Sequence, residues 1–163
     1  MILRLMAINT LGWLALQLSI AAAATRMSSR CFANEGGLYR VREWEVGIYR
    51  RWLHIQRWKR MLPDGGPWVG GSFRKMRFER RDAEYLRQFA LETRRGEVAH
   101  WLMLGCFPIF FLWNPTEAWI VLALYAVAAN LPCIVVQRYN RAVATKLLAR
   151  ANATATPPRA SMQ

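Results

Sequence analysis

Two clusters of polar, ionisable residues stand at the ends of apolar runs. The first is Glu97 and His100, within Glu92-Thr-Arg-Arg-Gly-Glu-Val-Ala-His100. A spacing of three puts both side chains on one helix face. A carboxylate beside an imidazole fixes its tautomer and raises its basicity. Histidine is also the commonest general base for a hydroxyl. The second cluster is Asn130, Gln137, Arg138, Asn140 and Arg141, within Asn130-Leu-Pro-Cys-Ile-Val-Val-Gln-Arg-Tyr-Asn-Arg141. Paired arginines suit phosphate or carboxylate, and an Asn or Gln amide suits a developing oxyanion. Each pattern has a plainer use: a Glu-x-x-His pair can be structural, and Arg and Tyr anchor helix ends. Asn130 and Gln137 are not needed for an anchor. No metal site is expected, because only His54 and a few acids remain to complete a coordination shell.

The elements that must carry these residues are apolar segments at about 2–24, 98–113 and 118–136. The chain is 54% hydrophobic yet has a formal net charge of +13, because the two properties are segregated. Of the 23 Lys and Arg, 17 lie in 26–97 and 5 in 138–163, with only Arg4 before Arg26. Cytoplasmic loops hold the excess of Lys and Arg. The pattern therefore predicts an all-α integral membrane protein with about three transmembrane helices plus amphipathic cytoplasmic helices. It forms one domain over 1–163, with 26–97 and the 138–163 tail inside and the 113–118 turn outside. The 98–113 run is short for a span, and Asn130 and Pro132 are expected to interrupt the third. A hairpin of the last two spans returns both polar clusters to one face of the bilayer.

The opening segment is also compatible with a signal peptide ending at Ala21-Ala-Ala-Ala24. Cleavage would export the most basic part of the chain, so a retained helix is favoured. Residues 38–62 read as one amphipathic helix, with Val41, Trp44, Ile48, Trp52, Ile55, Trp58 and Leu62 at three- and four-residue steps. Trp and Arg together suit a headgroup layer. His54 within it reads as a surface residue. The Gly- and Pro-rich stretch 63–73 reads as a loop. Helical character resumes over 79–97, and the tail fades into a disordered end. Cys31, Cys106 and Cys133 fit no zinc spacing and are expected as free thiols, most simply buried. Nucleic acid, the other usual partner of so basic a chain, is set aside because the apolar runs need lipid.

The same residues carry a resemblance. Thr93-Arg-Arg-Gly-Glu-Val-Ala-His-Trp101 and Asn130–Arg141 resemble two signature stretches of the glycosyl-4,4'-diaponeurosporenoate acyltransferase family. Gln17-Leu-Ser-Ile-Ala-Ala-Ala-Ala-Thr-Arg26 and Arg57-Trp-Lys-Arg-Met-Leu-Pro-Asp-Gly65 resemble its earlier segments. Ala142 stands where that family often has proline. The resemblance implies a multi-pass enzyme of the cell membrane in carotenoid glycoside biosynthesis. It would transfer a fatty acyl group to a sugar hydroxyl of a glycosylated carotenoid or similar membrane-embedded glycolipid. The donor would be acyl-CoA or another acyl thioester, with no further cofactor. In that frame His100 is the base and Glu97 polarises it. Asn130 or Gln137 meets the oxyanion, and Arg138 and Arg141 grip donor phosphate. A route through Cys133 as nucleophile is disfavoured by its apolar surroundings. The competing reading is a non-catalytic membrane protein that binds anionic lipid or scaffolds a biosynthetic complex.

Overall fold

The computed structural model describes residues 2–34, 36–62 and 82–155. The 63–73 loop, the start of the 79–97 helix and the end of the tail lie outside these residues. Among the described residues there is no strand. The helices are α1 (Ile2–Arg26), α2 (Glu43–Arg51), α3 (Ile55–Trp58), α4 (Ala83–Cys106) and α5 (Thr116–Ala155), joined in places by short 3-10 turns.

Local chemistry sets the ends of the long helices. Asp82 caps α4: its side chain accepts a hydrogen bond from the Tyr85 N–H at 2.9 Å. Pro108 cannot supply the N–H that a further α-helical turn needs, so α4 ends at Cys106 and a 3-10 turn, Phe107–Leu112, takes over. Pro115 precedes α5, whose first turn carries Glu117 where the helix dipole favours a negative charge.

Three segments lie side by side. Near the 113–118 turn, Asn9 and Asn114 exchange two amide hydrogen bonds of 2.8 and 2.9 Å, and Trp113 Nε1 donates to Asn9 at 2.8 Å. One layer further in, Trp13 stacks on Phe110 with Leu122 and Ala126 behind them. Gly12 permits this approach, since a Cβ there would lie 3.1 Å from the Phe110 ring. Beyond it, Ile20, Ala21 and Ala24 of α1 meet Ala99 and Met103 of α4. Small residues let helix backbones approach closely, which is the main source of packing energy where no water is displaced. At the far end Leu86, Phe89 and Ala90 pack on Ala144, Leu147 and Leu148 of α5.

Two helices, α1 and α5, are long and apolar enough to cross a membrane. The 98–113 segment is not a third independent helix: 98–106 is the second half of α4 and 107–112 is a 3-10 turn. It nevertheless lies alongside α1 and α5. The outward faces of α1 and α5 are apolar, with Leu3, Leu11, Ile120, Val121 and Leu124 all exposed. From Thr116 to Val136, α5 extends about 30 Å at 1.5 Å per residue, the thickness of a hydrocarbon core.

Three further expectations change. Pro132 does not interrupt α5, which runs on through it. The Asn130 amide and the Cys133 thiol bond to the Ala126 and Ala129 carbonyls one turn back, and α4 packs along the helix on both sides of the proline. The predicted 38–62 helix is broken at His54, which adopts φ 45° and ψ 39°. Tyr49 and Ile55 both pack on Val136 and Tyr139 of α5. In an unbroken helix a separation of six would point them about 120° apart, so the break serves both contacts. The cysteines are free, but Cys31 and Cys106 are exposed rather than buried.

Removing the aromatic step between α1 and the hairpin should be costly. Phe110→Ala is expected to lower stability by about 3–5 kcal/mol, read as a lower unfolding midpoint in detergent micelles. A midpoint unchanged from wild type would contradict the packing described.

Candidate functional site

The α4–α5 hairpin brings the two polar clusters together. On α5, Asn130, Ile134, Gln137 and Arg141 follow the i, i+4, i+7, i+11 steps of a single stripe. Facing it, Glu97 is fully buried. Its Oε1 accepts from Arg138 Nη1 at 2.9 Å, and its Oε2 lies 2.6 Å from Arg141 Nη2. Trp101 Nε1 donates to Oε1 from the next turn of α4 at 3.4 Å. Burying an ionised carboxylate is tolerable only with such partners.

The network reaches beyond the hairpin. Arg138 forks onto Glu45 of α2 with contacts of 2.8 to 3.0 Å. Arg141 Nε donates to the Tyr39 carbonyl at 2.9 Å, and its guanidinium lies over the Tyr39 ring. Tyr49 donates to Glu45 at 2.9 Å. Burial alone would raise the Glu45 carboxyl. The Arg138 guanidinium, the Arg42 N–H and the Tyr49 hydroxyl outweigh it and hold the group below its ordinary value. Asn140 is buried and accepts from Lys59 Nζ at 3.1 Å, while Gln56 donates to the Tyr139 hydroxyl at 3.0 Å. Burial, with Arg60 adding to it, pushes the Lys59 ammonium below its usual range.

His100 sits at the apolar edge of this layer. Its Nδ1 lies 3.0 Å from Asn130 Oδ1, and Asn130 Nδ2 donates to the Ala126 carbonyl at 2.9 Å. The second bond orients the amide, because only its nitrogen can donate to a carbonyl. The Asn130 oxygen therefore faces the ring, and Nδ1–H is the group that donates to it. The expected Glu97–His100 dyad is thus replaced by an Asn130–His100 pair, since the Glu97 carboxylate is turned to guanidinium groups and Trp101.

The family of these residues follows from comparison. The family model described as glycosyl-4,4'-diaponeurosporenoate acyltransferase matches residues 35–150. The chain belongs to that family. The match runs from eight residues ahead of α2 through nearly all of α5, so it contains every residue of the network above. Proteins named glycosyl-4,4'-diaponeurosporenoate acyltransferase from Staphylococcus aureus strains bovine RF122, MRSA252 and USA300 are each 29% identical over 139 residues, covering 83% of each chain. No solved structure matches. Membership makes this chain an acyltransferase.

Within this acyltransferase the arginines expected on substrate phosphate are engaged otherwise: Arg138 by two carboxylates, Arg141 by one carboxylate and a carbonyl. Gln137 Oε1 is buried and takes no hydrogen bond among the described residues. The adjacent Arg94 and Arg95 are ties to the 27–33 turn. Arg94 Nη1 donates to the Phe32 and Ala33 carbonyls, and Arg95 Nη2 to the Met27 carbonyl. His54 is exposed, as expected. Among the described residues no group of three or more His, Cys, Asp or Glu is placed to hold a metal ion. Glu45 was missed from the sequence. Its one signal is a lone pair of acids, Glu43 and Glu45, inside a run of arginines.

A folded-state pKa held down makes Glu45 stabilising wherever it is ionised. Its contribution should be present above the unfolded carboxylate value of about 4.5 and be lost as pH falls through the folded value. Unfolding midpoints followed across pH 3 to 7 should drop less for Glu45→Gln than for wild type. Glu97→Leu strands the buried Arg141 guanidinium and strips one contact from Arg138, and should cost about 3–5 kcal/mol, measured by the same midpoints at neutral pH.

Proposed function

We propose that this chain is a membrane-bound O-acyltransferase that moves a fatty acyl group from an acyl thioester to a hydroxyl of a glycosylated carotenoid or a similar membrane-embedded glycolipid. The observation that carries the mechanism is the 3.0 Å contact between His100 Nδ1 and Asn130 Oδ1, with the Asn130 amide pinned on Ala126. It holds the imidazole with Nε2 turned away from the orienting amide, the arrangement that asparagine provides to histidine in several acyl-transfer enzymes.

In this reading His100 Nε2 takes the proton as the acceptor hydroxyl oxygen attacks the thioester carbonyl. The tetrahedral intermediate collapses, the C–S bond breaks, and the leaving thiolate recovers that proton as a thiol. The ester is the only other product, so no metal or redox cofactor is required. Gln137 is a side chain on the same stripe with an unspent polar atom and no ion-pair partner among the described residues, and we assign it to the acceptor or the oxyanion. Arg138 and Arg141 form the floor that sets α4 against α5, Asn140 ties Lys59 to it, and contact with donor phosphate is secondary.

The Lys and Arg distribution supports an orientation with the site at the inner leaflet of the cell membrane and the basic region and C-terminus cytoplasmic. There a lipid-soluble acceptor in the bilayer and a water-soluble acyl-CoA both reach His100. The helices α1 and α5 supply the spans, with the second half of α4 between them.

The test uses the full-length enzyme in lipid nanodiscs with acyl-CoA and a glycosylated C30 carotenoid, the product read as a mass gain of one acyl chain. His100→Ala is expected to lower the transfer rate about 10²–10⁴-fold, with an unfolding midpoint near wild type. Full transfer by that variant would sink the assignment and favour a lipid-binding scaffold instead.

A further inference from the structure

Helix α2 has two unlike faces. Glu45 and Tyr49 are buried against the Arg138 network and α5. One turn-stripe away, Trp44, Ile48 and Trp52 recur every four residues and are 59%, 41% and 81% exposed. Leu53, next in the chain, is also exposed. Scattered apolar residues on a surface need no partner, but two tryptophans and an isoleucine aligned along α2 and its C-terminal cap form a contiguous patch.

The surroundings of that patch are basic. Arg40, Arg42, Arg50, Arg51, Arg57 and Arg60 are all exposed. Among the described residues 36–62 they face one exposed acid, Glu43, because Glu45 is turned inward. The position matters as much as the charge. α2 is bonded to Arg138, which directly follows the apolar length of α5 whose outer face exposes Leu124, Val127 and Leu131. The stripe therefore begins where the exposed apolar belt ends.

We infer that α2 lies in the headgroup layer of a bilayer rich in anionic phospholipid. Trp44 and Trp52 sit at the boundary with the acyl chains, and the flanking arginines sit on lipid phosphate. Indole rings favour that boundary because one part is apolar and the N–H is polar. A bilayer surface fits better than a protein partner, since cations ring the patch and it adjoins the helices that would enter lipid. The inference rests on the proposed crossing of α1 and α5 and does not use the chemistry of His100. It adds a function for this helix: the face that holds Arg138 and the face that meets lipid are on the same nine-residue helix, so lipid composition acts on the floor of the site.

The experiment reconstitutes the full chain in vesicles of phosphatidylcholine, with and without phosphatidylglycerol. Tryptophan fluorescence is quenched by a lipid nitroxide placed at the headgroup. Trp44 and Trp52 are two of eight tryptophans. The Trp44→Phe, Trp52→Phe variant should lose more than that one-quarter share of headgroup quenching. The loss should be larger with phosphatidylglycerol present, and Arg50→Gln, Arg51→Gln should remove that lipid dependence. Trp52→Phe alone, at the more exposed position, supplies the same comparison with the fold least disturbed. Equal quenching of wild type and both tryptophan variants would overturn the proposal. So would a wild-type dimer that dissociates on Trp52→Phe without a change in quenching, since a second copy would then cover the stripe. Acyl transfer by the same vesicles is read separately, so a failure of the anchor and a failure of the His100 mechanism are told apart.

Discussion

One buried negative charge holds the architecture together. Glu97 belongs to α4, yet both guanidinium groups that neutralise it belong to α5. Arg138 carries the connection on to α2 and Arg141 to the Tyr39 backbone. Four segments of the chain are thereby tied to one carboxylate. Between apolar helices in lipid there is no water to expel, so packing and polar contacts must select the register. A slide of either helix by one turn would separate Glu97 from its partners and leave charge stranded at low dielectric, a far larger penalty than the loss of a few methyl contacts. The register so fixed is the one that sets His100 against Asn130.

The opposite end of the bundle solves the same problem with neutral groups. Asn9, Trp113 and Asn114 satisfy one another across α1 and the turn, and the Asn114 amide also reaches the Phe110 carbonyl at 2.8 Å. Polar clasps at both ends enclose a middle of Trp13, Phe110, Leu122, Ala126, Ala99 and Met103, where shape alone decides. Specificity sits at the ends and bulk adhesion in between.

The hairpin and its two polar ends were legible because hydropathy and charge are segregated so sharply, and because Asn130–Arg141 is a distinctive string. The helical character expected over 79–97 was legible too, since α4 runs from Ala83 through Glu97. The break at His54 was not legible. The apolar residues from Val41 to Leu62 keep a helical rhythm throughout, yet α2 starts only at Glu43 and the break seats both Tyr49 and Ile55 on α5. The partner of His100 was misread for a similar reason. Sequence proximity favoured Glu97, three residues away, but the carboxylate is drawn to cations that lie 41 and 44 positions further along. Glu45 shows the limit most clearly, since its role depends on Arg138, 93 residues away, and no local pattern reports that pairing.

Because α5 is a single rod from Thr116 to Ala155, its tilt is a property of the whole molecule. A rigid helix whose apolar length exceeds or falls short of the surrounding hydrocarbon leans or straightens in response. Asn130 rides on the same rod that senses this thickness. On the proposed crossing of α5, the depth of Asn130 and His100 is therefore set partly by the chain length of the host lipids.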